Sequence, residues 1–171
     1  MIFAVTNQKK ELPVIRAYSS FTDMQKQFPA KAKDAVKIYK QICDYDDALM
    51  RKLGVKELQA DEAGMVQFLT DKLSKGGKLY TIELNDTVVG IGVVIKALYE
   101  NCWVLSLFGV EARSRGKGYG KTLLQSIVKE YSSSHIDMML RVVATNTIAL
   151  RLYESCGFKT EITKVLVCKA K

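Results

Sequence analysis

The spacing of apolar residues in the first half of the chain predicts a strand followed by helices. Residues 14–18 are predicted to form a strand, and residues 1–6 are expected to pair with it as a hairpin. Apolar side chains then recur with helical spacing over residues 23–53, where Pro29 must begin or kink a helix because it has no N–H. A second helix is predicted over residues 57–74, since two glycines follow it in the position that glycine favours after a helix.

The second half of the chain alternates between β-rich and helical segments. Asn85 and Asp86 separate its first two strands as a hairpin turn. The predicted strands are residues 78–84, 87–95, 102–110, 137–143, 158–162 and 164–169, and the predicted helices are residues 118–131 and 146–155. This order predicts a single α/β domain over residues 1–171, built around a mixed, mostly antiparallel sheet that helices flank.

A glycine-rich loop joins the strand that ends at Val110 to the following amphipathic helix. Gly116, Gly118 and Gly120 let the backbone curl, so that successive N–H groups point towards one place. The helix start adds N–H donors without acceptors and the positive end of its dipole. Basic side chains flank the loop, which strengthens its attraction for anions. These features predict a phosphate-binding site, and the alternative is a flexible surface turn before a helix.

Two common phosphate-binding motifs do not fit this loop. A P-loop matches at Gly120, Lys121 and Thr122, but its leading glycine would fall on Arg115. The dinucleotide fingerprint needs a third glycine where Lys121 stands. A nucleoside-triphosphate enzyme therefore stays an alternative with only half of its motif.

Two sequence blocks resemble motifs of the GCN5-related N-acetyltransferase (GNAT) superfamily. The pattern R-G-x-G-x-G over residues 115–120 resembles motif A, and N-x-x-A-x-x-L-Y-x-x-x-G-F over residues 146–158 resembles motif B. The resemblance covers residues 78–171, whereas residues 1–77 agree only in their pattern of elements. It implies the GNAT fold, in which two strands splay apart at the cofactor site, and acetyl-CoA as the acyl donor.

The resemblance also implies roles for individual residues. The backbone N–H groups of residues 115–121 would bind the pyrophosphate, the strand end at residues 108–110 would pair with the pantetheine arm, and an N–H near Phe108 would polarise the thioester carbonyl. Asn146 would hydrogen-bond the pantetheine region or serve as a helix N-cap. Ala149 would leave space for the cofactor. The implied cofactor-binding residues are Phe108, Gly109, Val110, Arg115, Gly116, Lys117, Gly118, Tyr119, Gly120, Lys121, Asn146, Ala149 and Tyr153.

Proton transfer is the less complete part of the resemblance. Tyr153 matches the family tyrosine that protonates the departing thiolate, a task that suits a phenol with an ordinary pKa near ~10, although it would also pack its helix on the sheet. Residues 103–110 contain no carboxylate where some family members place a glutamate as base. Glu111 is the predicted base and Glu83 a second candidate, while surface solvation is the alternative for both. Without a base, the amine would lose its proton to solvent.

Acceptor specificity is expected in the N-terminal helices, because these form the acceptor side in the family that the chain resembles. Their acidic run at residues 44–47 would attract a polyamine or an aminoglycoside. A short charge run is more often a solvated helix face, and this is the expected explanation here.

Composition narrows the classes of partner. The net charge of +8 is spread along the chain, which argues against nucleic acid and leaves only tRNA as an alternative. No apolar run approaches the ~18 residues of a membrane helix. Four scattered cysteines and the single His135 predict no metal site and fit a reducing cytoplasm.

The sequence thus favours transfer of an acetyl group from acetyl-CoA to a primary amine. The acceptor would be a small molecule, a protein lysine or an N-terminus, and the enzyme a monomer or homodimer. The alternatives are a tRNA-acetylating enzyme of the same superfamily and a GNAT-fold protein that binds CoA without catalysis.

Overall fold

Five strands, five α-helices and a short 3₁₀ helix at Ala112–Ser114 form the part of the chain that this computed structural model describes, namely residues 12–52, 54, 61–97 and 101–160. The elements are β1 Val14–Tyr18, α1 Phe21–Gln27, α2 Pro29–Lys52, α3 Glu62–Ser74, β2 Lys78–Leu84, β3 Thr87–Lys96, β4 Trp103–Val110, α4 Tyr119–Ser132, β5 Met138–Leu140 and α5 Thr147–Ser155. They follow the predicted order over the described residues. The predicted hairpin strand at residues 1–6 and most of the last strand pair lie outside these residues.

The sheet is mixed, with strand order β1-β2-β3-β4-β5. The first four strands form antiparallel ladders, whereas β5 runs parallel to β4. Pairing between β4 and β5 extends only from Trp103↔Met138 to Leu105↔Leu140, although β4 continues to Val110. The two strands therefore part at Leu105, as predicted for the splayed sheet.

A β-bulge lies at the point where β4 and β5 part. Val94 pairs with Leu105 and Val93 with Leu107, so that Ser106 is an extra residue on β4. The Ser106 hydroxyl donates to the carbonyl oxygen of Val93 at 3.3 Å. Because a bulge bends its strand and increases the local twist, it turns the remainder of β4 away from the direction of β5.

Helices cover both faces of the sheet, so the central strands are buried from both sides and show long apolar runs rather than alternation. On one face α1, α2 and α3 pack over Leu79, Ile91 and Val93. On the other face α4 packs through Leu123, Leu124 and Ile127 over Tyr80, Ile82 and Val94. The described chain therefore has two apolar layers, one on each side of the sheet.

Local capping explains where the first helices begin. The helical pattern over residues 23–53 is divided between α1, which ends at the Phe28 C-cap, and α2, which Pro29 begins. Helix α3 begins at Glu62 because the Asp61 side chain accepts the N–H of Gly64 at 2.8 Å, and residues 57–60 of its predicted start lie outside the described residues.

The predicted strand at residues 137–143 is too long. Only Met138–Leu140 form β5, since its ladder with β4 ends at Leu140. The apolar character of residues 142 and 143 indicated a strand, but no strand among the described residues pairs with them.

We expect the contact between Gly109 and Ile42 to set the distance between α2 and β4. A Cβ atom at Gly109 would lie 2.5 Å from Cγ1 of Ile42, so Gly109→Ala should lower the free energy of unfolding by about 1–3 kcal/mol through overpacking. Urea denaturation measures this loss. In an Ile42→Ala background, which removes the crowded atoms, the same substitution should cost almost nothing. Equal losses of unfolding free energy in both backgrounds would contradict this packing of α2 on β4.

Candidate active site

The glycine-rich loop presents a row of backbone N–H groups at the start of α4. Gly116 and Gly118 have φ of 75° and 86°, in the left-handed region that glycine adopts without strain. The first intrahelical bond runs from the N–H of Thr122 to the carbonyl oxygen of Gly118 at 3.0 Å. The N–H groups from Gly118 to Lys121 precede this bond and have no intrahelical acceptor.

The space in front of this row is open. A Cβ atom added to Gly116 or Gly118 would meet no atom within 4 Å. The flanking side chains of Lys117 and Lys121 are exposed, and the positive end of the α4 dipole points the same way. Open N–H donors, a helix N-terminus and two free ammonium groups together fit a doubly charged anion such as a pyrophosphate.

Arg115 is bound to the strand rather than to this open space. Its Nε donates to the carbonyl oxygen of Val110 at 3.0 Å, and its guanidinium lies 5.4 Å from the ring centre of Tyr45. Its backbone N–H donates to the carbonyl oxygen of Ala112 at 3.4 Å, so the open row begins at Gly116. Arg115 therefore holds the end of β4, the loop and α2 together.

Asn146 forms the N-cap of α5. Its Oδ1 accepts the N–H of Ala149 at 3.1 Å, and its side chain is buried. The capping role considered from the sequence is therefore present, while its contact with a cofactor stays a prediction. By fixing the first turn of α5, this cap also determines which side chains of the helix point towards the sheet.

Tyr153 lies between two aromatic rings at the edge of the parted strands. Its ring centre is 6.1 Å from that of Phe108 on β4 and 5.9 Å from that of Phe158. Burial raises the pKa of Tyr153 to about 12, and the negative charge of Asp46 adds to the effect. The phenol thus keeps its proton at neutral pH, next to the strand segment predicted to hold the thioester.

Helix α2 forms the wall opposite α5. Gln41 accepts the N–H of Ala112 through Oε1 at 3.1 Å, and Ile42 packs on Gly109. Asp46 follows Ile42 by one helical turn and is near enough to Tyr153 to act on its pKa. The structure thus brings Phe108, Gly109 and Tyr153 together, as the resemblance implied, and adds α2 residues that the sequence did not assign to the site.

The acidic run at residues 44–47 is not a uniformly solvated face. Asp44 fits that expectation, since it is exposed and pairs with Lys40 at 2.7 Å. Asp47 is only 6% exposed and lies 3.6 Å from Arg51. Asp46 is half-buried, and both burial and the neighbouring Asp47 raise its pKa. The predicted solvation is therefore wrong for Asp46 and Asp47, because α2 turns both towards the protein.

One signal in the sequence pointed to Asp46. Ile38, Ile42 and Asp46 are spaced four residues apart, so they lie on one face of a helix. A carboxylate in line with two buried or half-buried isoleucines is expected to face the protein interior. The nearby Asp44 and Asp47 obscured this periodicity, because a run of carboxylates suggested one solvated surface.

Glu111, the predicted base, is held by two cations. Arg113 lies 3.0 Å and Lys37 lies 3.1 Å from its Oε1. Arg113 first and Lys37 second hold the pKa of Glu111 below its usual range. Its carboxylate is therefore a weaker proton acceptor than a free glutamate, and its catalytic role stays a prediction.

Glu83, the second candidate, is part of a buried network. It is 3% exposed, so the predicted surface solvation is wrong for this residue. Four side chains donate to its carboxylate, namely Lys31 at 2.9 Å, Thr81 at 3.0 Å, Tyr18 at 3.1 Å and Arg16 at 3.2 Å. Burial alone would raise the pKa of Glu83, but Lys31 and the other donors hold it below its usual range. This carboxylate connects the first turns of α2 to β1 and β2.

Comparison with family models identifies the family of this chain. Residues 40–158 match the model of the Acetyltransferase (GNAT) family. Since this match spans well over half of the chain, the protein belongs to that family. It includes α2 from Lys40 onwards, the parted strands, the glycine-rich loop and α5.

Solved structures with the same fold include several N-acetyltransferases. The aminoglycoside N-acetyltransferase AAC(6')-Iy in complex with CoA is similar with a TM-score of 0.67 and 12% identity, over 92% of this chain and 95% of that one. A ribosomal-protein-alanine N-acetyltransferase from Brucella melitensis biovar Abortus 2308 is similar with a TM-score of 0.60 and 13% identity, over 92% and 100% of the two chains. At such identities the likeness establishes the fold alone.

A search for relatives and the hydropathy of the helices give no further indication of function. A search against curated proteins finds no match to this sequence. Within the described residues, no helix has both the length and the apolar character needed to cross a membrane.

We expect Glu83 to stabilise the fold through its charge. Glu83→Gln should lower the free energy of unfolding by about 3 kcal/mol at pH 7, because among the described residues it leaves the buried Lys31 ammonium with the exposed Asp86 as its only ionic partner. The folded-state pKa of Glu83 is lowered, so its contribution is present above the ordinary glutamate pKa and is lost as the pH falls through the folded value. The difference between wild type and variant in urea denaturation should therefore shrink below about pH 4.

Glu130→Gln provides the matched control for that measurement. Its exposed pair with Lys78, at 2.8 Å, should contribute less than about 1 kcal/mol. A loss at Glu83 no larger than the loss at Glu130, or one that does not depend on pH, would contradict the assignment of Glu83 to a buried ionic network.

Proposed function

We propose that this protein is an acetyl-CoA-dependent N-acetyltransferase that acts on a primary amine. The observation that carries the proposal is a continuous path along β4. The open N–H row of the loop lies just beyond Val110 at the end of this strand, and Tyr153 packs on Phe108 where β4 has parted from β5. An extended cofactor with phosphates near one end and a leaving thiolate at the other requires N–H donors at the first position and a proton donor at the second.

The loop and the strand would position the acyl donor. The N–H groups from Gly116 to Lys121 would hold the pyrophosphate, with Lys117 and Lys121 adding their charges. The edge of β4 beyond Leu105, which no described strand covers on the β5 side, would hydrogen-bond the pantetheine amides. When bound, acetyl-CoA supplies the thioester that is cleaved.

Tyr153 would supply the proton for the leaving group. In the transfer, the amine nitrogen forms a C–N bond to the thioester carbonyl carbon as the C–S bond breaks. A backbone N–H near Phe108 would stabilise the negative charge on the carbonyl oxygen, and the Tyr153 hydroxyl would donate its proton to the sulfur. Tyr153 packs between Phe108 and Phe158, and its partial burial raises its pKa, so the phenol keeps its proton at neutral pH. Glu111, through a water, or the solvent itself would take the proton of the amine.

The preference for an amine acceptor has two supports. The fold is shared with proteins whose names give N-acetylation of an aminoglycoside or of a ribosomal protein. In this chain, α2 places carboxylates rather than cations beside Tyr153, which favours an acceptor with positive charge.

We expect acetyl-CoA and CoA, but not ATP, to raise the unfolding temperature at equal concentrations. A hundredfold excess over Kd stabilises the native state by about 2.7 kcal/mol. Gly118→Ala should reduce this shift, because it adds a methyl group inside the open row of donors. Gly76→Ala is the matched control, since Gly76 has φ of 84° beside the 86° of Gly118 and is equally uncrowded.

Both alanine variants should lose similar stability without ligand, about 1–2 kcal/mol, from the left-handed backbone. A rise in the unfolding temperature with ATP alone would contradict the acetyltransferase proposal. An acetyl-CoA shift in Gly118→Ala as large as that in Gly76→Ala would mean that the loop is not the phosphate site.

We expect Tyr153→Phe to lower kcat for thiol release by about a hundredfold or more while acetyl-CoA binding is kept, because only the proton donor is removed. Tyr131→Phe is the control, since it removes a hydroxyl from the same apolar layer, where it accepts from Tyr80 at 3.1 Å. Kinetics with a thiol reagent and calorimetry with CoA separate turnover from binding. Unchanged turnover in Tyr153→Phe would remove Tyr153 as the acid, and binding without turnover in the wild type would favour a non-catalytic CoA-binding protein.

A further inference from the structure

Asp46 is distinguished from its charged neighbours on α2 by having no counter-ion. Within the described residues, Lys37 pairs with Glu111, Lys40 pairs with Asp44, and Asp47 pairs with Arg51. Asp46 makes neither a hydrogen bond nor an ion pair with any described residue, although it is half-buried. A carboxylate withdrawn from water without a partner costs free energy, so its presence requires an explanation.

The position of Asp46 follows from contacts on both sides of β4. One turn before it, Ile42 packs on Gly109. From the other face, Tyr153 packs on Phe108, the chain neighbour of Gly109. The carboxylate of Asp46 acts electrostatically on the Tyr153 phenol, so the two groups approach each other where β5 no longer covers β4.

Among the described residues, the two titratable groups that interact electrostatically with Asp46 are both acidic. They are Asp47 on its own helix and the Tyr153 phenol on α5. Burial first and Asp47 second raise the pKa of Asp46, which is the response of a charge without compensation. An ammonium group placed between Asp46 and Tyr153 would supply the missing charge. It would also stand beside the group proposed to protonate the leaving thiolate.

We propose that Asp46 binds the ammonium group of the acceptor and accepts its proton, so that the enzyme selects cationic primary amines. This inference rests on the proposed function and names the acceptor class of the same site. Asp46 fits this role better than Glu111, because Glu111 is already neutralised by Lys37 and Arg113.

The protons balance as follows. Asp46 takes one proton from the ammonium and passes it to solvent, which leaves a neutral amine for attack on the thioester carbon. The C–N bond forms, the C–S bond breaks, and Tyr153 gives its proton to the sulfur. The second proton, released from the acylated nitrogen, passes to solvent, from which the phenolate of Tyr153 takes up a proton. The net products are the acetylated amine, the free thiol and one proton.

Acceptor kinetics of the full chain test this role. Spermidine and kanamycin are the cationic probes, and aniline is the amine without charge at pH 7. Asp46→Asn should lower kcat/KM for the cationic probes by about a hundredfold and change the value for aniline little, since aniline needs neither the ion pair nor the base. Asp46→Glu should restore part of the loss. Asp44→Asn, which removes an exposed carboxylate two residues away, should have the kcat/KM of the wild type. The loss of kcat/KM in Glu111→Gln should be smaller than that in Asp46→Asn.

Stability distinguishes this role from a structural one. Because the folded-state pKa of Asp46 is raised, its charge at pH 7 opposes folding, so Asp46→Asn should keep or raise the unfolding temperature. A lowered unfolding temperature would overturn the inference. Equal losses of kcat/KM in Asp46→Asn for spermidine, kanamycin and aniline, or no loss for any of them, would also overturn it. So would a wild-type enzyme that acetylates aniline but neither of the cationic probes. In each of these cases the proposed function still stands if acetyl-CoA raises the unfolding temperature of the wild-type protein. If acetyl-CoA does not raise it, the proposed function itself is wrong.

Discussion

The site depends on one constraint, which is that the hydrogen-bonded ladder between β4 and β5 ends at Leu105 while β4 continues to Val110. Backbone N–H and C=O groups inside a protein need partners, so an uncovered strand edge near the centre of a sheet favours an extended ligand that supplies them. The bulge at Ser106 turns β4 at the same point. The strand then leads directly into the glycine-rich loop, so that an anion site and an amide-pairing edge lie along one line.

Helix α2 forms the proposed acceptor side, and its position is fixed at several points. The buried network of Lys31 and Glu83 holds its first turns against β2. Gln41 binds the backbone of Ala112 beside the loop, and Ile42 rests on Gly109, where only a glycine leaves room. Because these contacts fix the rotation of α2 as well as its distance from the sheet, they also determine that Asp46 faces Tyr153. Side chains held by a rigid helix in this way need little reorganisation when a substrate binds.

Asp46 and Glu83 show how the same side chain chemistry acquires opposite functions. Glu83 is surrounded by donors, which hold its pKa low and make its charge stabilising. Burial first and the acidic neighbour Asp47 second raise the pKa of Asp46, which has no donor among the described residues, and its charge is therefore destabilising. Natural proteins retain destabilising charges mainly where function requires them, and this contrast separates a structural carboxylate from a candidate catalytic one.

The sequence by itself determined those features that depend on neighbouring residues. The loop at residues 115–121, the helix start at Asn146, the division of the first helical segment at Pro29 and the order of the described elements follow from local backbone geometry, capping and periodicity. Motifs A and B added the proposed role of Tyr153, because the resemblance of residues 146–158 to motif B implies it. Only the tertiary structure decided the length of β5, the burial of Glu83 and the orientation of Asp46. Each of these depends on a partner far along the chain, such as Tyr153 for Asp46. Packing between α2, β4 and α5, rather than any local preference, brings such residues together.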